Sequence, residues 1–244
     1  MVFALVPALA PMLGAGIILT AGWRAIFVVF ILFALIMALW MSLRLPESLP
    51  RENRRPMRGA LMIQALAEMV THPTVRLSII VQTLCMAVLF VMITTVQPVY
   101  DVIFDRAEAF PLIFAGVALV SGSASLLNAS IVVRIGMRRI VTWSVAAQTG
   151  LSAAMLLLSG IGPSPDVLFA AFVLWQGTVF FMAGTTLGNL NAIAMEPMGH
   201  IAGMAASVIG AIATVLAAAI AAPVGLLFDG SLMPLVTGVL TMAV

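Results

Sequence analysis

Apolar runs of about twenty residues, separated by short stretches that hold nearly all of the charge, repeat along the whole of the 244-residue chain. About 20 residues at the ~1.5 Å rise of a helix cross the ~30 Å hydrocarbon core of a bilayer. The pattern predicts eight spans, at Val2 to Thr20, Ala25 to Leu43, Leu77 to Gln97, Pro111 to Val133, Ile140 to Ile161, Val167 to Leu187, Ile201 to Leu226 and Met233 to Val244. Helix is the assignment that fits, because backbone in lipid must satisfy its own hydrogen bonds and these runs are twice the length of a barrel strand. The expected fold class is an all-α polytopic membrane protein. Met1 to Thr20 lacks the basic flank and small-residue cleavage site of a signal peptide. The first run starts at the second residue with no polar flank, and the last stops after about twelve residues, too few to span. Both ends read as cuts through a helix.

The longest polar stretch, Arg44 to Arg76, divides the chain into residues 1–43 with two spans, a central loop over 44–76, and residues 77–244 with six spans. Within that loop, Met57 to Val70 predicts a helix with Leu61, Met62, Ala65, Leu66 and Met69 on one side and Arg58, Gln64 and Glu68 elsewhere, suited to lying at the interface. Trp23 reads as an interface anchor. Arginine bias sets the orientation. With the central loop inside, Arg44, Arg51, Arg54, Arg55, Arg58, Arg76, Arg134, Arg138 and Arg139 are cytoplasmic, nine of the eleven; Arg24 and Arg106 remain outside. Five acids, Asp101, Asp105, Glu108, Asp166 and Asp229, also fall outside. Reporter fusions are expected to read cytoplasmic at Arg55 and external at Glu108, and a cytoplasmic signal at Glu108 would overturn the topology.

Composition narrows the function. Apolar residues make up 63% of the chain and charged residues 8%, against ~45–50% and ~25% in soluble domains. Eight spans use the length and leave no room for a soluble catalytic domain. No metal-spaced His/Cys cluster and no glycine-rich phosphate loop occurs in the sequence, and Cys85 lies alone inside an apolar run. An enzyme is not expected, no cofactor or metal is implied, and the partner is the lipid bilayer rather than nucleic acid.

None of the nine acids falls at the centre of a span, where a carboxylate costs at least ~2.5 kcal/mol and is kept mostly for ion coupling. The embedded polar residues are neutral. Gln82, Asn128, Gln176 and Asn189 are the candidate cavity-lining set, with Thr94, Thr95, Gln148, Thr185 and Thr186 beside them; each can instead hydrogen-bond between helices. Seventeen methionines suit a tolerant apolar cavity or plain core filling. Pro7, Pro11, Gly14 and Gly16 in the first span, and Gly203, Ser207, Gly210, Ala222, Pro223 and Gly225 in the seventh, predict kinked, closely packed helices. Each is followed by a brief outer turn and one more helix, and a repeat displaced by six spans is what a two-half transporter shows.

On these residues the chain resembles the major facilitator superfamily, and within it the Bcr/CflA family of drug/proton antiporters. APMLGA, with Ala10, Pro11, Gly14 and Ala15, looks like the antiporter motif GPxxGG of the fifth helix, alanine replacing the first and last glycines. GWRAIF from Gly22 and LPESL from Leu45 resemble the entry and cytoplasmic exit of the sixth helix. RIGMRR, with Arg134, Gly136, Arg138 and Arg139, is similar to the second copy of the superfamily's loop motif, between helices eight and nine. AMEPMGHIAGMAAS, with Glu196, Pro197, Gly199, His200 and Gly203, looks like the family signature leading into helix eleven. The resemblance implies a partial fold, eight transmembrane helices of an expected twelve, numbers five to twelve. It further implies proton-driven export of small amphipathic drug-like molecules from a bacterial inner membrane, with the proton gradient as driving force and the coupling acid in helices one to four. A metabolite transporter on the same scaffold and a non-transporting fragment are the alternative expectations.

Overall fold

A computed structural model of the chain describes residues 13–45 and 59–244. Residues 13–21 are helical and are followed, in chain order, by α1 (Arg24–Arg44), α2 (Gly59–Thr71), α3 (Pro73–Pro98), α4 (Phe110–Ile135), α5 (Met137–Ile161), α6 (Pro165–Met195), α7 (Ala202–Leu226) and α8 (Met233–Ala243). No strand occurs among the described residues. The fold class expected from the apolar runs, all-α with several membrane-length helices, is the one observed. Five continuous helical stretches are long and apolar enough to cross a membrane, and the last of these, Pro165–Leu226, contains both α6 and α7. The first predicted span falls mostly outside the described residues, as do Ala10 and Pro11.

Local chemistry sets the ends of these helices. Proline opens α3, α6 and α8, where its missing N–H is one of the donors without an intrahelical partner anyway. Gly136, at φ +87°, is the single residue between α4 and α5, a left-handed conformation open to glycine at little cost. Pro98 closes α3, and the chain continues as one wide turn over Val99–Ile103, since proline supplies no donor to the preceding turn. The connection Glu196–Ile201 is a 3-10 turn broken at Met198 (φ −102°, ψ 21°), and it separates α6 from α7. At the other end of α7, Asp229 accepts from the backbone N–H and hydroxyl of Ser231, at 2.9 and 2.7 Å, which turns the chain into α8 and holds the exposed carboxyl below its usual range.

The helices α3 to α8 alternate in direction about two central members. The amino end of α3 (Met69 just before it, Val75, Ile79) packs with the carboxyl end of α6 (Ala194) and the start of α7 (Ala205, Ile209). Its carboxyl end, at Val99 and Tyr100, packs with Phe169 and Phe172 at the start of α6 and with Ala217 and Ala221 late in α7. Helix α3 therefore runs antiparallel to α6 and parallel to α7. Burial marks α3 and α6 as the centre, with twelve and fourteen buried side chains. Helix α7 meets the bundle along Ala205, Ile209, Ala213, Ala217 and Ala221, one residue in every four. Lipid tails are as apolar as leucine, so close packing across such small side chains, rather than escape from water, holds the helices together. The outward faces carry exposed Leu112, Leu119, Leu157 and Leu174, as a lipid-facing surface requires.

Three predicted boundaries moved, each for a reason. The sixth span was expected to stop at Leu187, but α6 runs to Met195 because Asn189 is buried and paired rather than solvated. The fifth was expected from Ile140, yet α5 begins at Met137 with Arg138 and Arg139 in its first turn. Arg76, assigned to the central loop, lies within α3. The predicted loop helix is present as α2, and it docks on the bundle: Met69 is fully buried against the cluster that contains Ala194, Met198 and Ile201. Helix α1 buries none of its residues.

All the arginines of the bundle except Arg106 lie at one end, with Arg76, Arg134, Arg138 and Arg139 near the start of α3, the end of α4 and the start of α5. Asp101, Asp105, Glu108, Asp166 and Asp229 lie at the opposite end. This is the separation of charge on which the sequence-based expectation of a cytoplasmic arginine-rich end rests.

Candidate functional site

A cavity of about 430 Å³ lies between α3, α4, α6 and α7. Its apolar wall comes from Met86, Leu89 and Ile93 of α3 and Phe180 and Leu187 of α6. Residues with little or no side chain, Ala118, Ala183, Gly184, Gly188, Ala206 and Gly210, make the room. Gln82, Ser121, Ser125, Asn128, Asn191 and Thr214 supply polarity without charge. These positions lie near the middle of their helices and toward the arginine-rich end.

Three of these six polar residues are already engaged in hydrogen bonds within the protein. Ser121 donates to the Val117 carbonyl at 2.7 Å and lies 3.3 Å from the Gly177 carbonyl of α6. Thr214 donates to the Gly210 carbonyl at 2.8 Å. Asn189 donates to Asn128 Oδ1 at 2.7 Å and to the Thr185 carbonyl at 2.8 Å, and Asn128 returns a longer bond of 3.4 Å. Thr185 in turn donates to Ser144 of α5 at 2.9 Å, so α4, α6 and α5 are tied in one chain of neutral groups. Gln82 differs: it is buried at the cavity wall, and its side-chain oxygen has no donor among the described residues.

Two further networks centre on α6, away from the cavity. Tyr100 donates to Gln176 Oε1 at 3.0 Å and meets the rings of Phe110, Phe169 and Phe172 edge-on, with centroids 5.4 to 6.0 Å away. Arg106 lies over Phe169 at 4.4 Å and pairs with Asp166 at the same end. Gln148 is satisfied with its amide nitrogen toward Thr178 (3.1 Å) and its oxygen toward Ser152 and Trp175 (3.2 and 3.3 Å), the orientation chosen from its neighbours.

Of the four sequence-expected cavity residues, Gln82 and Asn128 reach the cavity. Asn189 stands behind Asn128 as its partner, and Gln176 lies in the interior with Tyr100. The sequence reading did not single out Ser121, Gly184, Gly188 or Asn191 as cavity residues. Gly184 and Gly188 sit one turn apart, a spacing that signals close helix approach in membranes.

The Major Facilitator Superfamily model matches residues 1–222. The chain belongs to this superfamily. An uncharacterized MFS-type transporter of Bacillus subtilis, YdgK, is 24% identical over 216 residues, 84% of this chain and 51% of the relative. A bicyclomycin resistance protein homolog of Haemophilus influenzae is 26% identical over 211 residues, 85% of this chain and 52% of the relative. The chain spans about half the length of the curated relatives it matches. No solved structure matches it. Membership places the chain among multi-pass membrane proteins of transporter type rather than among enzymes.

The Arg134–Arg139 motif and the Glu196–Gly203 stretch fall at helix ends, and Ala10 and Pro11 of the first motif lie outside the described residues. Gly14 and Ala15 are helical, and a Cβ at Gly14 meets nothing within 4 Å. Arg134 is in the last turn of α4, and Arg138 and Arg139 are in the first turn of α5; all three are exposed, with no acid partner among the described residues. In the signature stretch, Glu196 and Pro197 begin the 3-10 turn, Met198 fills the core beside Met69, and Gly199 and Gly203 face open space. His200 pairs with Glu68 of α2 at 3.0 Å. The Glu196–Ile201 turn thus docks α2 at the arginine-rich end of the bundle.

Proposed function

We propose that the chain is part of a secondary transporter of the Bcr/CflA type, exporting small amphipathic drug-like molecules from a bacterial inner membrane by proton antiport. The observation that carries this reading is the cavity: about 430 Å³, apolar on most of its wall, with neutral amides and hydroxyls at its edges, set between four membrane helices. A site of that size buries a drug-sized molecule and orients it through few polar groups. The relative named as a bicyclomycin resistance homolog supports export as the direction and a drug as the cargo. In the two-bundle arrangement of such transporters the site lies at mid-membrane between halves that rock about it, so residues 77–244 would form one half. Residues 1–43 would then belong to the other, with 44–76 as the cytoplasmic link.

The acids among the described residues stand at helix ends or in connections, away from the cavity. The proton-loading group therefore belongs to helices of the first bundle, and the Pro11–Gly14 stretch serves as the antiporter-like element beside it. Arg134, Arg138 and Arg139 act as a topological anchor and conformational latch, their planar guanidinium groups reaching helix ends or acids in one of two states.

Drug accumulation in cells stripped of their own efflux pumps tests the reading. Expression of a longer transporter that contains these residues should lower accumulation of amphipathic drugs where residues 1–244 alone do not, a protonophore should abolish the effect, and Gly188→Leu in the longer chain, which fills open cavity space, should abolish it at matched membrane levels. Unchanged drug levels together with altered movement of a metabolite would replace drug export with metabolite transport on the same scaffold.

A further inference from the structure

We propose that Gln82 is a specificity-determining residue, and that the cavity selects uncharged amphipathic molecules presenting an O–H or N–H donor to its side-chain oxygen. The inference rests on the cavity being the transport site.

Gln82 is 8% exposed, lines the cavity, and carries a buried oxygen with no donor among the described residues. Buried acceptors in membrane helices are expected to be paired, since each unpaired one is a standing cost with no water to relieve it. Three other polar residues of the cavity wall avoid that cost. Ser121 and Thr214 are satisfied by carbonyls of their own helices, and Asn128 is held by Asn189. An acceptor kept unpaired at a cavity wall fits a partner that arrives with the ligand. The terminal torsion of glutamine is soft, so its oxygen can turn to meet a donor in the cavity.

The rest of the wall narrows the ligand class. Among the described residues no charged side chain lines the cavity, so a charged ligand would have to leave its hydration without a countercharge from these helices. An uncharged ligand avoids that cost and can lay an apolar face on Met86, Leu89, Ile93 and Phe180. Its donor then answers Gln82. A site with a buried polar group discriminates strongly against analogues that leave that group unpaired.

The test uses the purified protein in detergent and two neutral fluorescent probes of nearly equal shape, N-(2-hydroxyethyl)-1,8-naphthalimide and N-propyl-1,8-naphthalimide. The wild type should favour the hydroxyethyl probe relative to Gln82→Leu, the ratio of the two affinities falling by about tenfold on mutation. Gln82→Met should give the same fall. Without probe, both variants should melt at or above the wild-type temperature, because they remove an unpaired buried acceptor. Melting well below wild type in both would show that Gln82 has an internal partner and would overturn the proposal. An unchanged affinity ratio would overturn it as well. The cavity itself is checked separately with Gly188→Leu. If that variant loses both probes while the ratio ignores Gln82, the cavity stands and the role of Gln82 falls; if it binds both as well as wild type, or if wild type binds neither, the cavity reading falls with it.

Discussion

Gly184→Leu should separate α4 from α6 and leave the bundle substantially less stable, whereas Gly188→Ala, one turn further on, should be neutral or slightly stabilising. A Cβ built at Gly184 lies 2.9 Å from the Ala124 Cβ, closer than a carbon approaches a neighbouring helix without displacing it, and in ordinary contact, 3.5 Å, with the Ser121 carbonyl oxygen. At Gly188 the same atom meets nothing within 4 Å. Replacing glycine by alanine inside a helix gains about 1 kcal/mol from backbone propensity alone, and overpacking costs ~1–3 kcal/mol. The two nearly offset at Gly184→Ala, so the leucine variant is the informative one. Its longer side chain forces the helices apart where Ser121 meets the Gly177 carbonyl (3.3 Å) and where Asn189 donates to Asn128 (2.7 Å). Each interhelical bond lost in a membrane protein costs roughly 0.6 to 1.7 kcal/mol, so the total destabilisation should reach about 3 kcal/mol. Thermal unfolding of the purified protein in detergent measures it, and equal melting of Gly184→Leu and Gly188→Ala would show that α4 and α6 do not meet closely at this point.

Structure is legible in this sequence where one strong physical constraint acts, and hidden where it depends on which helix lies opposite. Apolar length is such a constraint, and the starts and ends of α1, α3, α4, α7 and α8 fell within a few residues of the predicted runs. The polar stretch 44–76 was legible for the same reason, and its helix appears as α2. The sixth span came out too short because Asn189 and Asn191 look like the polar flank of a span in one dimension. In three dimensions Asn189 faces Asn128 on α4, sixty-one positions away, and no local pattern encodes that pairing. Gln176 and Gln82 likewise look the same in sequence, two amides in apolar helices. Tyr100 occupies the first, while the oxygen of the second has no donor among the described residues. The His200–Glu68 pair was hidden for another reason: the signature motif names one partner, and the other lies in a loop helix whose docking only the structure shows.

The second large effect is expected at Tyr100, where the carboxyl end of α3 is fastened to α6. The side chain is fully buried, three phenylalanine rings meet it edge-on, and its hydroxyl donates to Gln176 Oε1 at 3.0 Å. Such aromatic pairs add ~0.5–1.5 kcal/mol each beyond the area they bury, and truncating a buried aromatic residue in a water-soluble core costs ~3–5 kcal/mol. In a bilayer the separated helices keep apolar contact with lipid tails, so Tyr100→Ala should sit at the low end, about 3 kcal/mol. Tyr100→Phe keeps the rings and removes only the donor. Gln176 already has an amide nitrogen with no partner among the described residues, so the phenylalanine variant leaves that side chain without either bond, a loss of roughly 1 to 2 kcal/mol. Adding Gln176→Leu to Tyr100→Phe should recover most of that loss, since removing both members of a buried pair is far cheaper than removing one. Unfolding of the two single variants and the double variant measures the coupling directly. If Tyr100→Phe is as unstable as Tyr100→Ala, the hydroxyl rather than the ring cluster joins α3 to α6, and if the double variant recovers nothing, the Tyr100–Gln176 bond is not what the single variant lost.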